Sequence, residues 1–144
     1  MRLWHKELIP VLPRQQLLSQ WRECCCIARE VAINGTPNHI LVNFVMDYSF
    51  DHFISYAYYV REEMTSRGYK TMDKVWNKIV SVAENNNFHI LPFEEVYSKK
   101  MDELYLTICY YNLLEKYLCS GIEFKDWTNI QNFYQEKIDI LKGV

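Results

Sequence analysis

Apolar residues between Gln15 and Ala32 recur at helical spacing. Leu17, Leu18, Trp21, Cys24, Cys25, Ala28, Val31 and Ala32 fall on one side at about 100° per residue. Gln15, Gln16, Ser19, Gln20, Arg22, Glu23, Arg29 and Glu30 fall on the other, with Cys26 and Ile27 out of character. The pattern predicts a first helix with Pro13 in its first turn, ended by Asn34-Gly35-Thr36-Pro37. Pro10 and Pro13 keep the first dozen residues out of a continuous helix. Residues 38–46 (NHILVNFVM) are apolar without a clear period and read as a buried connection or a short strand. Asp47 or Ser49 can cap a second helix that turns Phe50, Phe53, Ile54, Ala57, Val60 and Met64 inward and stops at Gly68. A third is expected from a Thr71 cap to Asn85-Asn86-Asn87, a fourth from a Ser98 cap to about Cys119, and a fifth from about Asp126 to Leu141. In the fourth, Leu104, Tyr105, Leu106, Ile108, Leu113, Leu114 and Leu118 go most of the way round, which predicts a central position. With no repeat, low-complexity tract or linker, the expectation is an all-α chain. Residues 1–144 should form a single compact domain of four to five helices with irregular connections.

Composition removes several functional classes. The 144 residues are 49% hydrophobic and 15% aromatic, enough for one core and too apolar for long disorder. No run of about 18 apolar residues is present, so no membrane span is expected. The opening lacks the apolar run of a secretory signal, which points to a cytoplasmic protein. Five cysteines, an odd number with no C-x-x-C pair, read as reduced thiols rather than a disulfide framework or a zinc site. Cys24-Cys25-Cys26 reads mostly as core. His5, His39, His52 and His89 are scattered without metal-like spacing, and no glycine-rich phosphate loop occurs, so neither a metal nor a cofactor is expected. The eleven tyrosines, at helical spacing, fit core and rim better than a base-stacking platform.

The net charge of -2 argues against simple phosphate neutralisation, because DNA-binding domains usually carry a basic surface. Its distribution is uneven. Residues 1–30 hold five basic side chains (Arg2, Lys6, Arg14, Arg22, Arg29) against three acidic ones (Glu7, Glu23, Glu30), while the rest hold eleven against fifteen. The positive excess therefore coincides with the polar arc of the first helix. By spacing alone, that arc is as readily a solvated face as a site.

The stretch Gln15-Gln16-Leu17-Leu18-Ser19-Gln20-Trp21-Arg22-Glu23, with its closing aromatic-Arg-Glu triplet, resembles the first helix of the pyrimidine-dimer DNA glycosylase (phage endonuclease V-like) family. Met1-Arg2-Leu3-Trp4 is similar to that family's N-terminus, where the terminal amine is followed by Arg and an aliphatic residue. His39-Ile40 before an apolar run, and Met64-Thr65-Ser66-Arg67-Gly68-Tyr69 at a helix end, are similar to two further landmarks. The full opening also resembles small bacterial proteins placed in this family. The resemblance covers roughly the first seventy residues, and the helices over 98–141 match weakly.

The resemblance implies a DNA-repair glycosylase with associated abasic-site lyase activity, acting on a damaged pyrimidine in double-stranded DNA and favoured as a monomer. Its nucleophile would be the α-amine of Met1, retained because Arg2 is too bulky for ordinary methionine removal. An α-amine has a reference pKa of about 7.7–8.0, against about 10.4 for lysine, which suits attack near neutral pH. Glu23 would stabilise the cationic sugar and shuttle protons. Arg22 would hold a phosphate or orient that carboxylate, and Arg2 would bind backbone phosphate. Gln15, Arg14, Arg29 and His39 are further candidate DNA contacts. The acidic balance supports an alternative, a catalytically inactive nucleic-acid- or nucleotide-binding module of the same fold.

Overall fold

The computed structural model describes residues 1–143, and element boundaries follow from identifiable local causes. Lys6–Val11 forms a 3-10 turn containing Pro10, not an α-helix, and the His5 side chain accepts the Glu7 N–H at 3.1 Å to cap it. Helix α1 (Arg14–Asn34) begins directly after Pro13, which occupies the cap with extended ψ rather than the first turn. It ends where Gly35 takes a left-handed φ of 76° and donates to the Val31 carbonyl.

Residues 38–46 contain no strand; they make a turn and then a 3-10 turn over Asn43–Asp47. Helix α2 (Phe50–Ser66) follows Ser49 at the cap position, whose side chain makes no capping hydrogen bond. It closes at Gly68, with Tyr69 N–H on the Met64 carbonyl and Gly68 N–H on that of Thr65, the Schellman pairing. Helix α3 is only Asp73–Val80, shorter than the spacing predicts. Beyond it Asn85 and Asn86 adopt left-handed φ, which asparagine tolerates better than most residues.

Helix α4 (Glu103–Leu118) is capped by Asp102, whose side chain accepts the Tyr105 N–H, rather than by Ser98. The reason lies upstream. The Met101 carbonyl, which would pair with the Tyr105 N–H in a helix begun at Ser98, lies 2.6 Å from His5 Nε2 instead. Next to His5, the buried Lys6 ammonium takes the carbonyls of Phe93, Glu94 and Val96 at 2.9, 3.0 and 2.7 Å. Nor is α4 central, since Leu104 and Leu118 are 67% and 71% exposed while Tyr105, Leu106, Cys109 and Leu113 face inward. Helix α5 (Phe124–Leu141) starts two residues before the expected Asp126.

Helix α1 packs on α2 and α3, and α4 pairs with α5. The N-terminal segment threads between these groups: its 3-10 turn touches both α2 and α5, and Leu3, Leu8 and Leu12 are buried in one continuous core. This placement shifts the buried stripe of α1. Gln20 and Ile27 lie inside it with Leu17, Trp21, Cys24 and Ala28, whereas Ala32 is exposed and Cys25 half-buried. Among the described residues, no helix is long and apolar enough to cross a membrane.

Candidate active site at the chain start

Residues 2–5 run extended across α1, α2 and α4, and side chains from all three helices take up their backbone polar groups. The Arg2 N–H donates to Glu23 Oε2 at 2.8 Å. Gln20 makes two bonds, donating from Nε2 to the Arg2 carbonyl (2.9 Å) and accepting the Trp4 N–H at Oε1 (2.7 Å). The Tyr105 hydroxyl donates to the Leu3 carbonyl. Tyr56 Oη lies 2.6 Å from the Trp4 carbonyl and 2.8 Å from Gln20 Oε1. The His5 N–H meets the Cys109 sulfur at 3.4 Å. Each of the carbonyls from residue 2 to residue 4 is therefore matched by a side-chain donor, and Gln20 and Tyr56 are buried to make the match. Buried polar groups are costly unless paired, so this network specifies one path for the chain start.

The electrostatics keep these donors in their working forms. Burial pushes the Tyr56 and Tyr105 hydroxyls well above the usual tyrosine range, so both remain protonated. Burial likewise lowers the His5 imidazole. Its Nε2 is 2.6 Å from the Met101 carbonyl while Nδ1 accepts from Glu7, which assigns the neutral ring with its proton on Nε2. Cys24, next to Glu23, is fully buried and its thiol is pushed up by burial, so it is no nucleophile.

The α-nitrogen of Met1 stands one residue beyond this anchor, in a residue 39% exposed. Equivalent atoms of adjacent residues are at most about 3.8 Å apart, so the amine lies within about 6.6 Å of Glu23 Oε2. Glu23 is half-buried, and its Oε1 takes no hydrogen bond among the described residues. Among the described residues neither the Met1 amine nor the Arg2 guanidinium forms an ion pair with the Glu23 carboxylate; Arg2 is half-buried with its Cζ 5.8 Å from the Trp4 ring.

The other expected residues lie apart from this pair. Arg22 is exposed, donating to Ser19 Oγ at 3.3 Å, and points about 100° round the helix from Glu23; Arg29 is about 120° away and also exposed. Arg14 and Gln15 sit at the start of α1, about 12 Å or more along the axis, with Arg14 over the Tyr69 ring at 5.4 Å. His39 is half-buried in the loop after α1 and organises it, its N–H on Asn43 Oδ1 and its Nδ1 accepting the Leu41 N–H.

Sequence reasoning missed Gln20, Tyr56, Tyr105 and Lys100. Tyr56 had a usable signal: a tyrosine amid the apolar face of α2 must find a partner for its hydroxyl. Lys100 had none. It lies in an irregular turn, its Nζ 5.1 Å from the Phe44 ring and 5.0 Å from that of Tyr105, which places a cation beside the residue that holds Leu3.

A family model described as pyrimidine dimer DNA glycosylase matches residues 1–77. A search of curated proteins and a search of solved structures each found no match. The matched span holds the N-terminal segment, α1, α2 and most of α3, with Met1, Gln20, Glu23 and Tyr56 inside it and Lys100 and Tyr105 beyond. With over half of its 144 residues matched, the chain belongs to the pyrimidine dimer DNA glycosylase family of DNA-repair proteins.

Proposed function

We propose that the protein excises a damaged pyrimidine from duplex DNA with Met1 as nucleophile and Glu23 as the assisting carboxylate, and then cleaves the resulting abasic site as a lyase. The observation that carries this reading is the 2.8 Å bond from the Arg2 N–H to Glu23 Oε2, which fixes a carboxylate one residue from the chain start. The neutral α-amine attacks C1′ of the damaged nucleotide and the bond to the base breaks, the base leaving with the electron pair. Loss of the amine proton and opening of the sugar ring give an iminium between Met1 and C1′. Glu23 Oε1 faces the developing positive charge, then takes a proton from C2′, and the C3′–O bond breaks by β-elimination. Water finally hydrolyses the imine and frees the amine. Arg2 supplies a phosphate contact beside the reacting sugar. The target base is reached only out of the stack, so binding must open the duplex.

The experiment is borohydride trapping on duplex DNA containing a cyclobutane dimer or an abasic site. The reading expects a covalent adduct that disappears when the α-amine is acetylated or extended by a tag. The net charge of -2 favours the rival, a binding module without catalysis. Salt-sensitive DNA affinity with no adduct selects that rival.

A further inference from the structure

We propose that His52 is a positioning residue for the site: its ring latches a strap, residues 93–101, onto α2, and the strap in turn holds the chain start. The inference rests on the glycosylase reading for its substrate. The strap lies beyond the span that the family model matches. It meets the N-terminal segment at several points. The Met101 carbonyl lies 2.6 Å from His5 Nε2, and Met101 Sδ accepts the Lys6 N–H at 3.3 Å. Lys6 Nζ donates to three further strap carbonyls. Lys100 places its Nζ 5.0 Å from the Tyr105 ring, whose hydroxyl donates to the Leu3 carbonyl.

Tyr97 is the strained point of the strap. Its φ is 49°, a left-handed backbone that a bulky residue rarely adopts. Its buried hydroxyl has no hydrogen-bond partner among the described residues. Both features cost free energy, so the surroundings must over-determine this conformation. Phe44 and Tyr48 meet the Tyr97 ring edge-on, each at 5.1 Å. His52 stacks on it at 5.2 Å and supplies the polar contact, its Nδ1 accepting the Tyr97 N–H at 3.0 Å. A ring nitrogen accepts only while it carries no proton, and in protonated histidine both nitrogens are donors. Protonation of His52 therefore sets donor against donor at the strained residue and opens the latch. The groups facing the half-buried ring are Asp51 on α2, Glu95 and Tyr97 on the strap, Lys6 on the N-terminal turn and Tyr48 ahead of α2. Burial is the main cause that holds its pKa below the ordinary value, Lys6 acts in the same direction, and Asp51 and Glu95 oppose them. The ring is neutral at pH 7.5 and the latch is closed.

The test compares the full chain with its His52→Asn and His52→Leu variants on a duplex carrying a thymine cyclobutane dimer. Asn offers an oxygen close to the place of Nδ1 and does not titrate, while Leu offers no acceptor. At pH 7.5, His52→Leu should excise about tenfold or more slowly in single turnover with unchanged DNA affinity, and His52→Asn should stay near wild type. Between pH 7.5 and 5 the wild-type rate should fall about tenfold relative to His52→Asn, a ratio from which titration of the Met1 amine cancels. A purely structural histidine would leave that ratio constant. A constant ratio therefore overturns the proposal even where His52→Leu fails to fold, and so does a His52→Leu protein as fast as wild type. Hydrogen exchange of the Arg2 N–H, bonded to Glu23, reads the chain start without DNA. It should quicken in His52→Leu and not in His52→Asn, and equal exchange in all three proteins overturns the latch. Quickened exchange with no excision and no borohydride adduct from any of them supports the latch while removing the glycosylase reading, so the two failures are distinguishable.

Discussion

Replacing Glu23 by Gln keeps an acceptor for the Arg2 N–H but removes the charge that the proposed chemistry needs. The Glu23→Gln protein should bind lesion DNA normally and lose about 100-fold or more in single-turnover cleavage, the scale of a removed general base. Unchanged turnover would take Glu23 out of its role. Gln20 acts at one remove, through two bonds to residues 2 and 4. Gln20→Ala leaves the Arg2 carbonyl and Trp4 N–H unmatched and should cost about 2–3 kcal/mol of stability. Its kcat should fall with KM little changed, because the amine loses its fixed position while the DNA contacts remain. His5 gives a pH signature. Its folded-state pKa lies below 6.5, so the unfolded chain binds more protons; stability is full above about pH 6.5 and is lost as pH falls through the folded value. His52, also lowered by burial, adds the same sign. Urea midpoints should drop between pH 7.5 and 5, and His5→Gln should flatten that slope.

At the scale of elements, the chain start owes its position to helices far from it in sequence. The period of α1 is legible from the residues, and so are its stop at Gly35 and the stop of α2 at Gly68, because left-handed backbone selects glycine. Which face of α1 is buried is less so. The N-terminal segment packs on the Gln20 flank and brings Gln20 and Ile27 inside, a tertiary choice that no helical wheel contains. The same holds for the start of α4. Asp102 caps in place of Ser98 where His5, some ninety residues earlier, faces the Met101 carbonyl that a longer helix would use. Beside His5, Lys6 clamps the carbonyls at 93, 94 and 96, and Lys6→Met should destabilise the protein by about 1–3 kcal/mol, read by urea denaturation, since a buried carbonyl and two partly buried ones lose a charged donor. An unchanged midpoint would show that this clamp contributes nothing.

Over the whole molecule, residues 1–77 bring the family's landmarks and the remainder brings its own supports: Tyr105 against Leu3, Cys109 against His5, and Lys100 between Phe44 and Tyr105. Met1, Arg2 and Glu23 were grouped only through the family resemblance, and of that grouping the structure contains the Arg2 N–H to Glu23 bond. Gln20, Tyr105 and Lys100 were not legible in the sequence, because their roles depend on contacts made only after folding. With a net charge of -2, DNA affinity must rest on a few local cations and weaken steeply with salt. Lys100→Ala should lower that affinity and reduce the log–log salt slope by about one. The most direct measurement is mass-spectrometric mapping of the borohydride-reduced complex on lesion duplex. The account predicts the sugar remnant on the α-nitrogen of Met1, absent from an amine-blocked chain. Attachment to a lysine side chain, or an adduct that survives blocking, would contradict it.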